Sequence, residues 1–486
     1  MSTFALILAG GRGNRFWPRS SPALPKQFLR LLGKESLLQA TYQRARGMWA
    51  DRDIYVVATA AYENLVRWQL PALPRENLFL EPAGRDTAAA VGYAFIHLGE
   101  ARANDVAVVF PADHYVAAGA SWAQTITVAC HLAAAGHPVL VGIEPARPET
   151  SFGYILLGEP VASLAVPAYQ VARFIEKPDA ARASQLLRQG HCLWNSGMFI
   201  WRVNAALALL ERCLPATMAA VTRTVQWQRQ EGNRNDRSSL GEEIKKCYAT
   251  IPAISLDYGV IEKAAGVIVV RGDFPWDDLG GWPALERLNP RDALGNVICG
   301  NALLQDTEGC LVDCAAGPAV IIGVKDTIIA SHEGRLLVCT RDKLAQLKGL
   351  LNSPAFVAIQ QRAAGDQQAT LPEEAAIVLK PWGREIWWAV TEAYAAKILE
   401  VKAGQATSLH LHQQKQETFY GQSGQGYLIL NDVRKRIEPG VVVTIPPQAR
   451  HRLFALTDLR IIEVSTPHLD DVTRLEDDYG RQEVVN

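Results

Sequence analysis

The apolar run Phe4–Leu8 ends in a loop holding Gly10, Gly11 and Gly13, with Arg12 and Arg15 among them and Lys26 beyond a proline-containing stretch. Glycines just past a buried strand let the backbone approach a ligand that a Cβ would push away. Backbone N–H groups, forked guanidinium contacts and a mobile lysine charge together suit a phosphate chain. Two familiar phosphate loops do not fit. A dinucleotide fingerprint counted from Gly11 and Gly13 needs glycine at 16, where Phe16 stands, and no Gly-Lys-Ser/Thr run completes a P-loop. A second group of residues lies far along the chain. His410 and His412 are two apart, so on a strand they share one face, where Glu417 and His451 can join them. Three imidazoles and one carboxylate form an N₃O set suited to Zn²⁺ or another first-row divalent ion, with positions left open for a substrate.

The elements that must position these residues follow from periodicity. Strand-like runs at Phe4–Leu8, Ile54–Ala58, Val106–Phe110 and Val139–Gly142 alternate with helical patterns such as Glu35–Arg46 and Thr87–Leu98. That order predicts an α/β sheet of largely parallel strands, with ligands at the strands' carboxyl ends. The glycine loop is at such an end, and so is Asp113 in the phrase PADH. From about Asn289 the pattern changes to short apolar strands broken by Gly, Asp and Asn, which predicts a small β module. A helical stretch at Asp342–Leu351 leads into a Gln- and Ala-rich segment that reads as a linker, and from Ile377 the chain is strand-rich again. The predicted units are 1–288, a β module 289–352, a linker 353–375 and an all-β domain 376–486.

GGRGNRFWP followed by PKQFL resembles the signature of sugar-nucleotide pyrophosphorylases, and its Trp-Pro and Lys-Gln-Phe variant resembles that of bacterial mannose-1-phosphate guanylyltransferases. The resemblance implies a Rossmann-like nucleotidyltransferase domain with a mostly parallel sheet, followed by a small β-helix-like module. It implies attack of a sugar 1-phosphate oxygen on the α-phosphorus of GTP, with mannose 1-phosphate as acceptor and pyrophosphate released. Such transfer needs alignment and neutralisation of clustered charge more than covalent help. Arg12, Arg15 and Lys26 are the implied catalytic residues. Leu8, Gly10, Gly11, Gly13, Arg85, Asp86 and Asp113 are implied on the nucleotide, although the family commonly has Asn where Asp86 stands. Asp113 and Asp278 match the family's Mg²⁺ aspartates, a hard-oxygen role; the Trp-x-Asp-x-Gly pattern selects Asp278 over its neighbour Asp277. Gly153, Glu176, Lys177, Asn195 and Asp257 are implied on the sugar phosphate, and Glu262 and Lys263 also match.

At the other end, Gly404, His410, His412, Glu417 and Gly424, then Gly440, Pro446 and His451, match the two halves of a cupin signature. With Lys380-Pro381-Trp382-Gly383 the segment resembles the type II mannose-6-phosphate isomerase domain fused to bacterial guanylyltransferases. That implies a cupin β-barrel and metal-assisted proton transfer between C1 and C2 of mannose 6-phosphate. Four positions depart from the family run: it has Gln at His410, His at Gln414, Arg at Lys415 and His at Thr418. Lys397, Lys415 and Arg452 are candidate acid-base or phosphate-holding groups. The alternative is a guanylyltransferase whose cupin is a metal-stabilised structural or regulatory module. A pyrophosphorylase for another hexose 1-phosphate or another base is a third reading.

With 49 basic and 50 acidic residues among 486, the chain has no global charge that would draw nucleic acid or an acidic membrane. Small anionic ligands at a local site fit better; a homodimer is an open expectation that the sequence does not decide. Eight scattered cysteines without a CxxC pair predict a reduced, cytoplasmic protein. The amino terminus lacks the pattern of a signal peptide, and no run approaches the ~20 apolar residues of a membrane span.

Overall fold

The computed structural model describes residues 2–11, 13–161, 164–231, 238–356, 358–359, 377–390, 393–468 and 471–477. Arg12 lies outside the described residues, as does most of the predicted linker. The chain divides into two compact units, Met1–Lys348 and Gly349–Asn486.

The first unit is built on strands β1 (Thr3–Leu8), β2 (Ile54–Thr59), β3 (Leu78–Glu81), β4 (Val106–Pro111), β5 (Tyr115–Val116), β6 (Val139–Ile143), β7 (Tyr154–Pro160), β8 (Ala168–Ile175), β9 (Cys192–Arg202), β10 (Ile268–Gly272) and β11 (Trp276–Asp277). Nine of them form one sheet in the order β3-β2-β1-β4-β9-β6-β10-β8-β7, while β5 and β11 pair separately. Side-chain alternation explains the layers. Ala5, Ile7, Val56, Val108 and Phe110 face one hydrophobic core with helices Leu37–Arg46 and Ala120–Ala134. Phe4, Leu6, Val57, Ala107 and Val109 face another with helices Asp86–Leu98 and Val203–Cys213. A sheet buried on both faces accounts for the continuous apolar runs in the sequence.

Seven of the nine strands run one way, and β8 and β9 run against them. The antiparallel β9 is inserted between β4 and β6. Its amino-terminal half lies at the edge where β1, β4 and β6 end, with Asn195 beside Gly142 and Trp194 beside Ile143. The register slips between Leu140 and Gly142, which throws the Ser196–Met198 segment of β9 into a bulge.

Residues after the large sheet form β12 (Val297–Gln305), β13 (Leu311–Ile322), β14 (Thr327–His332) and β15 (Arg335–Thr340). The first three pair in parallel and β15 returns antiparallel. Val297, Leu311, Ile328 and Leu337 join the core that holds β1.

The second unit contains β16 (Ile377–Lys380), β17 (Gly383–Val390), β18 (Ala395–Val401), β19 (Leu409–Leu411), β20 (Glu417–Ser423), β21 (Gly426–Leu430), β22 (Val433–Ile437), β23 (Val442–Ile445), β24 (His451–Ala455), β25 (Leu459–Ser465) and β26 (Thr473–Glu476). They form a six-stranded sheet, β16-β17-β18-β25-β20-β23, and a five-stranded sheet, β22-β21-β24-β19-β26. Phe419 and Ile461 of one sheet pack against Leu428 and Leu453 of the other, the layered arrangement of a small β-barrel. No helix among the described residues is long and apolar enough to cross a membrane, and all eight cysteines are unbonded.

Candidate active and metal sites

β1 ends at Leu8, and the backbone then turns through Ala9–Gly11 under the control of a residue given no role in the sequence reading. The Gln27 side chain is buried and donates from Nε2 to the carbonyls of Ala9 at 2.9 Å and Gly11 at 2.8 Å. Gly13 has φ +33, and a Cβ there would lie 2.4 Å from Lys26 Cβ. Glycine is therefore required to let Lys26 pass behind the loop. Gly11 is the reverse case: nothing lies within 4 Å of the position a Cβ would take. Gly10 sits over Glu81, whose Oε2 is 3.4 Å from the corresponding position. Burial raises the Glu81 carboxyl to about 8, against the hydrogen bond it accepts from Tyr248.

Lys26 is buried, and its Nζ donates to Asp113 Oδ2 at 2.8 Å and to the Asp278 carbonyl at 2.6 Å. The β5–β11 pairing, with Asp277 opposite Tyr115, draws these two aspartates together from residues 165 apart in sequence. Burial alone would raise the Asp113 carboxyl, but the Lys26 ammonium beside it holds it below the usual range. Burial raises the Asp278 carboxyl, whose Oδ1 accepts from Gly280 N at 2.8 Å. Arg15 is exposed and reaches the same turn, with Nη1 3.4 Å from the Gly280 carbonyl.

Asp277 and Asp278 separate cleanly. Asp277 is buried and held by Arg287 at 2.7 Å, and it accepts from Leu279 N. Its role is to fix the turn, which leaves Asp278 on the Lys26 side. Arg147 adds a further tie, lying 3.8 Å from Asp277 and 3.2 Å from Glu149 while its guanidinium sits over the Trp194 ring.

The residues expected on the sugar phosphate form one cluster. Asn195 Nδ2 donates to Asp257 Oδ1 at 2.6 Å, and Asn195 N donates to the Gly153 carbonyl. A Cβ on Gly153 would meet Glu176 Oε2 at 2.7 Å, and Lys177 Nζ donates to Glu176 Oε1 at 2.5 Å. Burial, reinforced by the Glu176 charge, pushes the Asp257 carboxyl up to about 7. The β9 bulge joins this cluster to the aspartates: His114 Nδ1 contacts the Ser196 carbonyl at 3.1 Å, and its Nε2 is 3.9 Å from Asp113. His114 in PADH and Gln27 in PKQFL carry no sequence signal for these contacts. Glu262 and Lys263 are both exposed on a short 3₁₀ turn.

Arg85 is half-buried at the start of helix Asp86–Leu98. Asp86 has φ +65, and its carboxylate accepts from Thr87 N at 2.7 Å. Asp and Asn are the side-chain-bearing residues that best tolerate that backbone region, so Asp in place of the family's Asn preserves the local turn.

In the second unit, His410, His412, Glu417 and His451 offer ligand atoms that all lie within 4.8 Å of one another. His410 and His451 are direct partners across β19 and β24, and Glu417 comes from the other sheet. Each imidazole has Nδ1 against a backbone carbonyl: Ser408 at 2.8 Å for His410, Ala449 at 3.1 Å for His451, and Asp471 for His412. That leaves Nε2 of each ring for a ligand. Nε2 of His412 and His451 and Oε2 of Glu417 are buried without a hydrogen-bond partner, as a donor set for a cation requires. Burial, with His451 nearby, pushes His410 down to about 3 and keeps it neutral.

These ligands open into a cavity of about 200 Å³ lined also by Lys380, Glu385, Lys397, Lys415, Glu463 and Arg474. Lys415 contacts Glu417 at 2.6 Å and Glu463 at 3.0 Å, and Lys397 contacts Glu463 at 3.2 Å and Glu385 at 3.4 Å. Of the four departures from the family run, His410 and Lys415 line the cavity, whereas Gln414 is exposed and Thr418 pairs with Thr444. Arg452 is corrected as a candidate group. It follows His451 on β24, so its side chain takes the opposite face and lines a separate groove with Tyr427 and Phe454.

Residues 4–293 match the Nucleotidyl transferase family and residues 397–465 match the Cupin domain family. The chain is 33% identical over 483 residues to an Escherichia coli mannose-1-phosphate guanylyltransferase, covering 98% of this chain and 99% of that one. It is 33% identical over 485 residues to the xanthan biosynthesis protein XanB of Xanthomonas campestris pv. campestris, covering 98% of each. A crystal structure from Thermus thermophilus, described as a mannose-1-phosphate geranyltransferase, shares 35% identity and a TM-score of 0.62, covering 72% of this chain and 98% of that one. By full-length similarity and domain content, this chain belongs to the mannose-1-phosphate guanylyltransferase family, enzymes with a nucleotidyl transferase domain followed by a cupin domain.

Proposed function

We propose that this chain transfers GMP from GTP to mannose 1-phosphate, releasing pyrophosphate and GDP-mannose for polysaccharide synthesis. A sugar phosphate oxygen forms the new bond to the α-phosphorus as the bond to pyrophosphate breaks. The observation that carries this reading is Lys26, buried behind the glycine loop and bridging the Asp113 carboxylate and the Asp278 carbonyl. Asp113 and Asp278 would hold Mg²⁺, which supplies charge neutralisation between phosphates. Arg12, Arg15 and Lys26 neutralise the triphosphate, with Leu8, Gly10, Gly11, Gly13, Arg85 and Asp86 around the nucleotide. Gly153, Glu176, Lys177, Asn195 and Asp257 receive the sugar phosphate. The proposed units are 1–288 for transfer, a β module 289–352, a linker 353–375 and a cupin 376–486, in a cytoplasmic enzyme that could act as a homodimer.

For the second unit we propose mannose-6-phosphate isomerisation with Zn²⁺ or another first-row divalent ion on His410, His412, Glu417 and His451. The favouring observation is the cavity charge: four cations, Lys380, Lys397, Lys415 and Arg474, face three carboxylates, Glu385, Glu417 and Glu463. That excess suits a phosphorylated sugar. The alternative is a metal-stabilised binding module.

A substrate panel tests both. GTP, ATP, UTP and dTTP are offered with mannose 1-phosphate and Mg²⁺ while pyrophosphate is followed; GTP is expected to dominate, and equal rates for UTP with glucose 1-phosphate would overturn the assignment. Mannose 6-phosphate is then offered to fully metallated protein. Conversion to fructose 6-phosphate supports the isomerase, and its absence with transfer intact selects the binding module.

A further inference from the structure

The module β12–β15 makes two ion pairs with the segments that carry Lys26 and Asp278. Asp313 on β13 is fully buried, and Arg19 Nε meets its Oδ2 at 3.0 Å. The same guanidinium donates from Nη1 to the Arg30 carbonyl at 3.1 Å. Arg19 and Arg30 flank the stretch that contains Lys26, so one guanidinium gathers both ends of that stretch and fastens them to the module. On the other flank, Arg341 follows β15 and reaches Glu286 Oε1 with Nε at 3.1 Å and Nη2 at 3.0 Å. Glu286 belongs to helix Trp282–Leu288, which begins four residues after Asp278. That helix also touches the loop: Trp282 Nε1 donates to the Trp17 carbonyl at 3.1 Å, and its ring packs edge-on against Phe16.

We infer that Asp313 and Arg341 are positioning residues for transfer, through which the β module holds the Lys26 stretch and the Asp278 turn in mutual register. This rests on the proposed transferase reading. A buried carboxylate whose counter-charge is a single arginine is costly to keep unless the pairing is used. Here it lies on a different sheet from the residues it aligns. The Lys26 contacts to Asp113 and Asp278 need both segments in place at once, and each segment has its own tie to the module. Loss of either tie lets one side of the Lys26 bridge drift, and a displacement of about 1 Å in such a site costs about 10²-fold in rate.

The test uses the full chain with Asp313→Asn, which keeps volume and removes charge, and Arg341→Gln on the more exposed pair. Two readouts are taken: kcat and KM for GMP transfer, and the rate at which Lys26 is acetylated by an amine reagent, measured by mass spectrometry. Positioning predicts that kcat falls about tenfold or more while KM for mannose 1-phosphate stays within about twofold. It also predicts faster Lys26 acetylation, because a buried, engaged ammonium is released. Lys325→Gln, which breaks an exposed pair with Glu308 in the same module, leaves both readouts unchanged. Folded D313N and R341Q with unaltered kcat and unaltered Lys26 labelling would overturn the inference. If D313N does not fold, R341Q alone decides it by the same criteria. If the parent chain transfers no GMP but D313N or R341Q still unmasks Lys26, the positioning stands and the transferase reading fails.

Discussion

Gly13→Ala places a methyl group where the backbone has no room. Its Cβ would sit 2.4 Å from Lys26 Cβ, 2.9 Å from Lys26 N and 3.3 Å from Lys26 Cα. Ordinary carbon–carbon contact is about 3.5–4.0 Å, so the Lys26 backbone must retreat by about 1 Å or more. Two of the three clashing atoms are main chain, and no rotamer change relieves them. The positive φ adds about 1–2 kcal/mol for a side-chain-bearing residue, and overpacking adds about 1–3 kcal/mol. The sum, about 2–5 kcal/mol, falls within the usual stability of a domain, so G13A folds with a lowered melting temperature. Transfer suffers more, because a retreat of about 1 Å by the residue bridging Asp113 and Asp278 costs about 10²-fold in kcat. Pyrophosphate release at saturating GTP and mannose 1-phosphate reads the rate, and circular dichroism reads the melt. Gly11→Ala is the matched control: it meets nothing within 4 Å, so its stability stays within about 0.5 kcal/mol of the parent. A folded G13A with the parent kcat would refute the claim that this glycine exists to let Lys26 in.

Asp277→Asn weakens the tie between the turn and the Arg287 guanidinium, which solvent reaches, and should cost about 1.5–3 kcal/mol of stability, whereas Asp278→Asn should melt near the parent and lose Mg²⁺-dependent transfer; equal melts would contradict the division of roles. Because the folded Glu81 carboxyl is raised to about 8, the unfolded chain binds fewer protons between its ordinary range near 4.5 and pH 8. Its contribution to stability is therefore greatest at low pH and is lost as pH rises through that window. Glu81→Gln should gain melting temperature relative to the parent as pH is raised from 5 to about 9, and a constant difference would argue against the raised carboxyl. His451→Ala should lower the bound-metal stoichiometry of the isolated full chain, measured by elemental analysis, and Arg452→Ala should not, since the two side chains lie on opposite faces of β24.

The strands at Phe4–Leu8, Ile54–Ala58, Val106–Phe110 and Val139–Gly142 were legible because burial on both sheet faces writes unbroken apolar runs. The reversal of β9 was not, since direction within a sheet depends on distant pairing and leaves no local mark. The same limit hid Gln27 and His114. Each contacts backbone carbonyls supplied by distant segments, and no spacing rule announces such an arrangement. Asp277 and Asp278 were distinguishable by motif, but the physical reason, the Arg287 pair on one and the Lys26 side of the other, needed the fold. In the second unit the two-residue spacing of His410 and His412 signals one face, and by the same alternation Arg452, the residue after His451, falls on the other.

An ammonium has three hydrogens to give. Lys26 gives one to Asp113 and one to the Asp278 carbonyl, so under the proposed reaction a single valence remains for a phosphate oxygen. The residue behaves as a three-way coupling with one open port, which admits one oxygen in one direction and leaves none for a second. An arginine at this position would bring five donors fixed in a plane and could not divide them among a carboxylate, a carbonyl and a ligand arranged around one atom. The choice of lysine here is thus a matter of geometry at the nitrogen, beyond the charge it carries.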